Sequence, residues 1–119
     1  MGSMIRPTCA KCNAQFETIY LGGEPRDREK ECAVPVICYN CGTIKTDNIH
    51  KPSGLCETCG EKLTYAGQVT QKEVRASVFT WRLSIDYENP RFYVLKSNFY
   101  RCPKCNTRNL SFETAGCWD

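Results

Sequence analysis

The sequence predicts a small β-rich domain stabilised by metal, with two four-cysteine sites and a β-hairpin or three-stranded sheet from about 74 to 101. Three observations predict it. Ten cysteines fall within 119 residues, and eight of them form four Cys-x-x-Cys pairs. Short β-branched and aromatic runs flank those pairs. The one long stretch without cysteine, 66–101, carries an apolar–polar alternation of period two.

A chain of this length fits one small domain. Met1-Gly2-Ser3-Met4 reads as a cloning scar over 1–3, which leaves 4–119 as a single compact unit. No apolar run approaches the roughly 20 residues of a membrane span, and no charged-then-apolar leader opens the chain. The expectation is a cytoplasmic protein without a membrane partner. Disulfides and metal compete to explain the cysteines. Disulfides need an oxidising compartment. Tight pairs suit metal, because two thiolates must reach one ion from a single turn of chain. The pairing therefore favours metal.

Residues 8–16 hold the first pair, Cys9/Cys12, and Glu17-Thr18-Ile19-Tyr20-Leu21 reads as a short strand. Gly22-Gly23-Glu24-Pro25 is a turn, and the alternating charges of Arg26–Glu31 read as a solvated loop. Ala33-Val34-Pro35-Val36-Ile37 leads into Cys38 as a strand, with Pro35 pushing it towards a sheet edge. Thr43–Thr46 leads out of Cys41 as its hairpin partner. Lys51-Pro52-Ser53-Gly54 turns the chain before Cys56, and Lys62–Tyr65 leads out of Cys59.

In the cysteine-free stretch, Gln71–Arg75 reads equally as a short helix or a strand. Phe79, Trp81, Leu83, Ile85 and Tyr87 then alternate with polar residues. A helical stripe over Val74, Val78, Trp81 and Ile85 competes, but the β-branched and aromatic content favours a strand. Glu88-Asn89-Pro90-Arg91 reads as a hairpin turn, Phe92–Leu95 as the return strand and Phe99-Tyr100-Arg101 as a third strand entering Cys102.

Each pair is followed by a residue that tolerates a left-handed backbone: Asn13, Gly42, Gly60 and Asn106. The turn must aim two thiolates at one point while backbone N–H groups face the sulfurs, and those donors offset the thiolate charge. Four such turns make four metal knuckles. On Cys38-Tyr39-Asn40-Cys41-Gly42 and Cys56-Glu57-Thr58-Cys59-Gly60, with fourteen residues between Cys41 and Cys56, the chain resembles the zinc-ribbon and rubredoxin-like class. The resemblance covers about 36–65 as an inner ribbon and the outer pairs as isolated knuckles. It implies metal and no particular activity, since members of the class bind nucleic acid, bind proteins, carry electrons or hold a fold together.

Four pairs can share two ions sequentially, in an interleaved way or nested. The nested arrangement is favoured, with Cys38/Cys41 joined to Cys56/Cys59 and Cys9/Cys12 joined to Cys102/Cys105. Its inner spacing is the most compact, and the following residues match as Gly with Gly and Asn with Asn. The outer site would then join the N- and C-terminal knuckles. Two Zn²⁺ per chain are expected, with rubredoxin-type iron as the rival for an all-thiolate tetrahedron. A structural zinc contributes about 10–16 kcal/mol of apparent binding energy. That is on the scale of a small domain's whole stability, so folding is expected to need the metal.

The formal charge is +3 with neutral cysteines. Eight thiolates subtract eight and two divalent ions restore four, leaving the loaded chain at −1. Composition thus gives no support for a general nucleic-acid surface. Trp81-Arg82, Arg91-Phe92-Tyr93 and Phe99-Tyr100-Arg101 pair aromatics with cations as single-strand binders do, and Arg82, Arg91, Lys96, Arg101 and Lys104 could form a basic strip. A buried aromatic sheet face explains the same residues through alternation alone. Cys32 and Cys117 read as plain thiols outside the pairs. His50, the only histidine, reads as a surface residue. Trp118 reads as packing over the outer site. No open metal position with a base, phosphate loop or nucleophilic triad can be assembled. The expected function is a non-enzymatic zinc protein whose metals support a protein-binding or adaptor surface, with nucleic-acid binding and an iron electron carrier as alternatives.

Overall fold

The computed structural model describes residues 2–24, 26, 30–72, 77–84, 88–97 and 100–118, and no α-helix occurs among them. The larger sheet contains β1 (Gly2–Cys9), β2 (Ile19–Gly22), β3 (Ala33–Cys38), β4 (Thr43–Asn48), β5 (Thr64–Tyr65) and β9 (Leu110–Trp118). Its order is β4-β3-β2-β1-β9, with β5 also against β3. A second sheet orders β6 (Gln68–Thr70), β8 (Phe92–Leu95) and β7 (Phe79–Arg82) as β6-β8-β7. All the pairings are antiparallel.

The β1–β9 ladder runs from Gly2↔Trp118 to Cys9↔Leu110, with one irregularity between Met4 and Ile5. It carries the first knuckle, at the end of β1, alongside the last one, which immediately precedes β9. The strand predicted over 17–21 forms as β2, two residues later at its start. The hairpin predicted around Cys38 and Cys41 forms as β3 and β4, paired from Cys38↔Thr43 to Ala33↔Asn48.

β3 is not an edge strand, contrary to the expectation from Pro35. It has β4 on one side and both β2 and β5 on the other, and five of its six residues are buried. The missing N–H is accommodated by a substitution of donors. The β3–β5 register places Ala66 opposite Pro35, and the Ala66 N–H donates to the Pro35 carbonyl at 3.0 Å. An ordinary ladder would return a bond from residue 35 to the Ala66 carbonyl. Proline has no hydrogen to give, and the buried Tyr93 hydroxyl donates to that carbonyl instead, at 2.5 Å. Gly67 makes room for this hydroxyl: at its φ of +87°, a Cβ would stand 2.3 Å from Tyr93 Oη.

The second sheet departs from the predicted range. β8 is the predicted return strand, and β7 starts where the alternation starts, but Ile85–Tyr87 lie outside the described residues. The third strand is β6, Gln68–Thr70, rather than Phe99–Arg101. Phe99 is outside the described residues, and Tyr100 forms an isolated bridge to Leu110. Three residues after Gly67 offer too short a run to mark a strand, and their pairing with β8 is set at long range. Val74, on which the helical stripe and the 71–75 reading depend, and residues 27–29 of the charged run also lie outside the described residues.

One cluster of buried side chains draws on both sheets, including Ile5, Leu21, Val34 and Phe112 from the larger and Phe79, Tyr93 and Leu95 from the smaller. Trp81 stacks on Phe79 at 5.9 Å and fills the space over Gly22, where a Cβ would meet the indole at 2.8 Å. The aromatic face of the sheet is thus buried, and Tyr93 is only 1% exposed. Trp118 does not cover the outer cysteine site. It lies at the Gly2 end of β9, with Cys9 opposite Leu110 at the other end. There its indole N–H donates to the Leu21 carbonyl at 3.1 Å, and its ring meets Tyr20 edge-on.

Candidate metal centres

The four knuckles share one backbone geometry. The N–H groups of Asn13, Gly42, Gly60 and Asn106 donate to the carbonyls of Cys9, Cys38, Cys56 and Cys102 at 3.0, 2.9, 2.8 and 2.8 Å. Their φ angles are +57°, +68°, +77° and +63°, the left-handed region that Gly and Asn tolerate best. In three knuckles the residue before the first cysteine faces the third residue after the second, as Thr8↔Gln15, Ile37↔Ile44 and Leu55↔Lys62. The last knuckle is offset, with Tyr100 opposite Leu110. In every pair the first cysteine is buried and the second lies nearer solvent, with Cys12 exposed.

The pairs meet in the nested arrangement. Cys9, Cys12, Cys102 and Cys105 form one cluster, and Cys38, Cys41, Cys56 and Cys59 the other, with the sulfurs in each within 4.8 Å of one another. In the outer cluster Cys9–Cys105 and Cys12–Cys102 are separated by 3.6 and 3.8 Å. In the inner cluster Cys38–Cys59 and Cys41–Cys56 are separated by 3.5 and 3.9 Å. Four sulfurs each about 2.3 Å from a tetrahedral ion stand about 3.8 Å apart. The spacing therefore fits one metal ion per cluster. Neither Cys32, Cys117 nor His50 joins a cluster among the described residues. Cys32 is fully buried, and burial pushes its thiol up to about 12.

The same geometry makes the thiols of each cluster electrostatically uneven. Backbone N–H groups of Cys59 and Thr58 draw the Cys56 thiol down to about 6. The Thr107 hydroxyl and backbone N–H do the same for Cys105, also to about 6. Within the same clusters Cys41 is pushed up to about 12 by Cys59 and Cys38, and Cys102 up to about 12 by burial. Each cluster favours some thiolates and penalises the rest. A divalent cation removes that conflict, because it lets all four ionise.

A second layer of contacts positions the ligands. Asp47 accepts from the Tyr65 hydroxyl at 2.5 Å, from Ser53 N–H at 2.9 Å and from Asn48 N–H at 2.9 Å. Partial burial acts to raise its carboxyl pKa, but these donors outweigh it and hold the pKa below the usual value. The Tyr65 hydroxyl in turn accepts from Gly54 N–H. This network ties the turn entering Cys56 to β4 and β5, and Lys45 reaches across to Thr58 at 3.2 Å. At the outer site, Thr107 Oγ1 lies 3.1 Å from Cys105 Sγ and accepts from the Asn109 amide.

Sequence reading found all eight clustered cysteines and missed these supports. Thr107 carried a local signal, since the second residue after a knuckle cysteine lies beside its sulfur. Asp47 and Tyr65 carried none, because their contact depends on how β5 docks. Comparison with protein-family models, with curated proteins and with solved structures returned no match to this chain.

Proposed function

We propose that the chain is a non-enzymatic zinc protein in which two structural zinc ions support a protein-binding surface. The observation that carries the reading is the closed donor set: each cluster offers four thiolates at tetrahedral spacing, with backbone donors turned on the sulfurs. Four protein ligands are the signature of a structural zinc, whereas catalytic zinc keeps one position for water or substrate. The clusters also tie distant segments together, in one case Cys9 to Cys105. For the surface, the support is the 52% exposure of Tyr20 and an open groove of about 350 Å³ beside β4, lined by Phe16, Ile44, Lys45 and Lys104 among others. Nucleic-acid stacking has less behind it, since Tyr93 is buried and Arg82 and Arg101 lie over the rings of Phe92 and Tyr39.

Elemental analysis with native mass measurement tests this reading. Two zincs per colourless chain are expected, and Cys32→Ser with Cys117→Ser should leave that number unchanged. Quantitative zinc removal should abolish the folded circular dichroism spectrum. A red, redox-active iron form would replace the reading with electron transfer, and an unchanged spectrum after removal would end the structural role.

A further inference from the structure

The two clusters are in contact through their knuckles. Tyr39, inside the Cys38/Cys41 turn, donates its hydroxyl to the carbonyl of Arg101 at 2.9 Å. The Arg101 guanidinium lies 3.9 Å from the centroid of the Tyr39 ring, and Arg101 immediately precedes Cys102. The two turns lie within contact distance at Gly42 as well: a Cβ there would stand 3.5 Å from the Pro103 carbonyl oxygen and 4.0 Å from Lys104 Cδ, ordinary packing distances. One knuckle of the inner site therefore forms the seat for one knuckle of the outer site.

The sites also differ in how much chain each must close. Cys41 and Cys56 are 15 residues apart, whereas Cys12 and Cys102 are 90 apart. A sixfold longer loop makes closure about fifteenfold less favourable by chain entropy alone. From these two observations we propose that the clusters load in order, inner before outer, and that the Tyr39–Arg101 contact makes the filled inner knuckle the platform on which the outer site closes. Tyr39 and Arg101 are positioning residues in this scheme, since neither supplies a sulfur. The proposal rests on the reading of both clusters as zinc sites.

Stepwise zinc addition to the reduced, metal-free full chain against a competing chelator, followed by native mass spectrometry, tests it. The wild-type chain should reach two zincs, with a one-zinc species populated on the way. Tyr39→Ala should leave the first binding constant unchanged and weaken the second by about tenfold, within the usual range of coupling between sites. Tyr39→Phe, which keeps the ring, should lose less. Disabling the inner cluster with Cys56→Ser and Cys59→Ser should weaken the remaining site relative to the wild type's second step. If Tyr39→Ala fails to fold, Arg101→Ala, which keeps the carbonyl acceptor, should weaken the second step in the same direction. An unchanged second constant in the Tyr39 and Arg101 variants, or an outer site that binds equally well without the inner one, overturns the coupling while leaving the zinc reading intact. A wild-type stoichiometry other than two overturns both.

Discussion

Asn13, Gly42, Gly60 and Asn106 were legible as left-handed positions because a knuckle imposes its geometry within five residues, and nothing distant can alter it. Pro35 was misleading for the opposite reason. A proline in a strand normally exposes an edge, and the donor that replaces its missing N–H comes from Tyr93, 58 positions along the chain. The Gly67–Tyr93 contact makes this arrangement testable. Tyr93→Phe leaves the Ala66 carbonyl without its donor and is expected to destabilise the fold by about 1–3 kcal/mol. Gly67→Ala meets both an unfavourable φ and the Tyr93 ring, and is expected to lose at least as much. Urea unfolding of the metal-loaded variants measures both, and a loss within 0.5 kcal/mol for either would remove the donor-substitution account.

Among the strands, those adjacent to cysteine pairs were readable, because the knuckle fixes where the hairpin begins. β3, β4 and β8 follow their local patterns. β6 has three residues and no pattern of its own, and Tyr100, expected in a third strand of the smaller sheet, instead bridges to Leu110 of the larger one. Strand order is a long-range property, and short strands leave little trace of it in sequence. The turn before Cys56 is held by Asp47 and Tyr65, so these two elements are coupled to the inner cluster. Asp47→Ala removes the acceptor of several hydrogen bonds. It is expected to speed zinc release to a chelator from the inner site several-fold and to leave the outer rate unchanged. Release kinetics with a chromogenic chelator separates the two sites, and equal rates in variant and wild type would show that the network does not support the ligands.

For the molecule as a whole, acid should act through the clusters. Without metal, hydrogen-bond donors already lower Cys56 and Cys105 to about 6, and a bound cation lowers them further, so protons return to them only below that pH. Protons then compete with the metal. Zinc release and unfolding are expected to coincide as pH drops below about 6, and metal content and circular dichroism followed over the same titration check it. Unfolding without release would place the acid-sensitive groups elsewhere. The nested pairing was readable because its inner spacing is the most compact and the residues after the pairs match, whereas the contact between the sites was not, since Tyr39 and Arg101 are ordinary residues until the sheet brings them together. The β1–β9 ladder has a mechanical consequence as well. Gly2 and Trp118 are neighbours at one end of it, and the outer cluster lies at the other. Tension applied between those two residues loads the ladder as a zipper, opening one pair at a time under small force. With metal bound, the tear stops at Cys9, where the load passes from single hydrogen bonds to metal–thiolate bonds, and the rest of the fold is shielded from the pull.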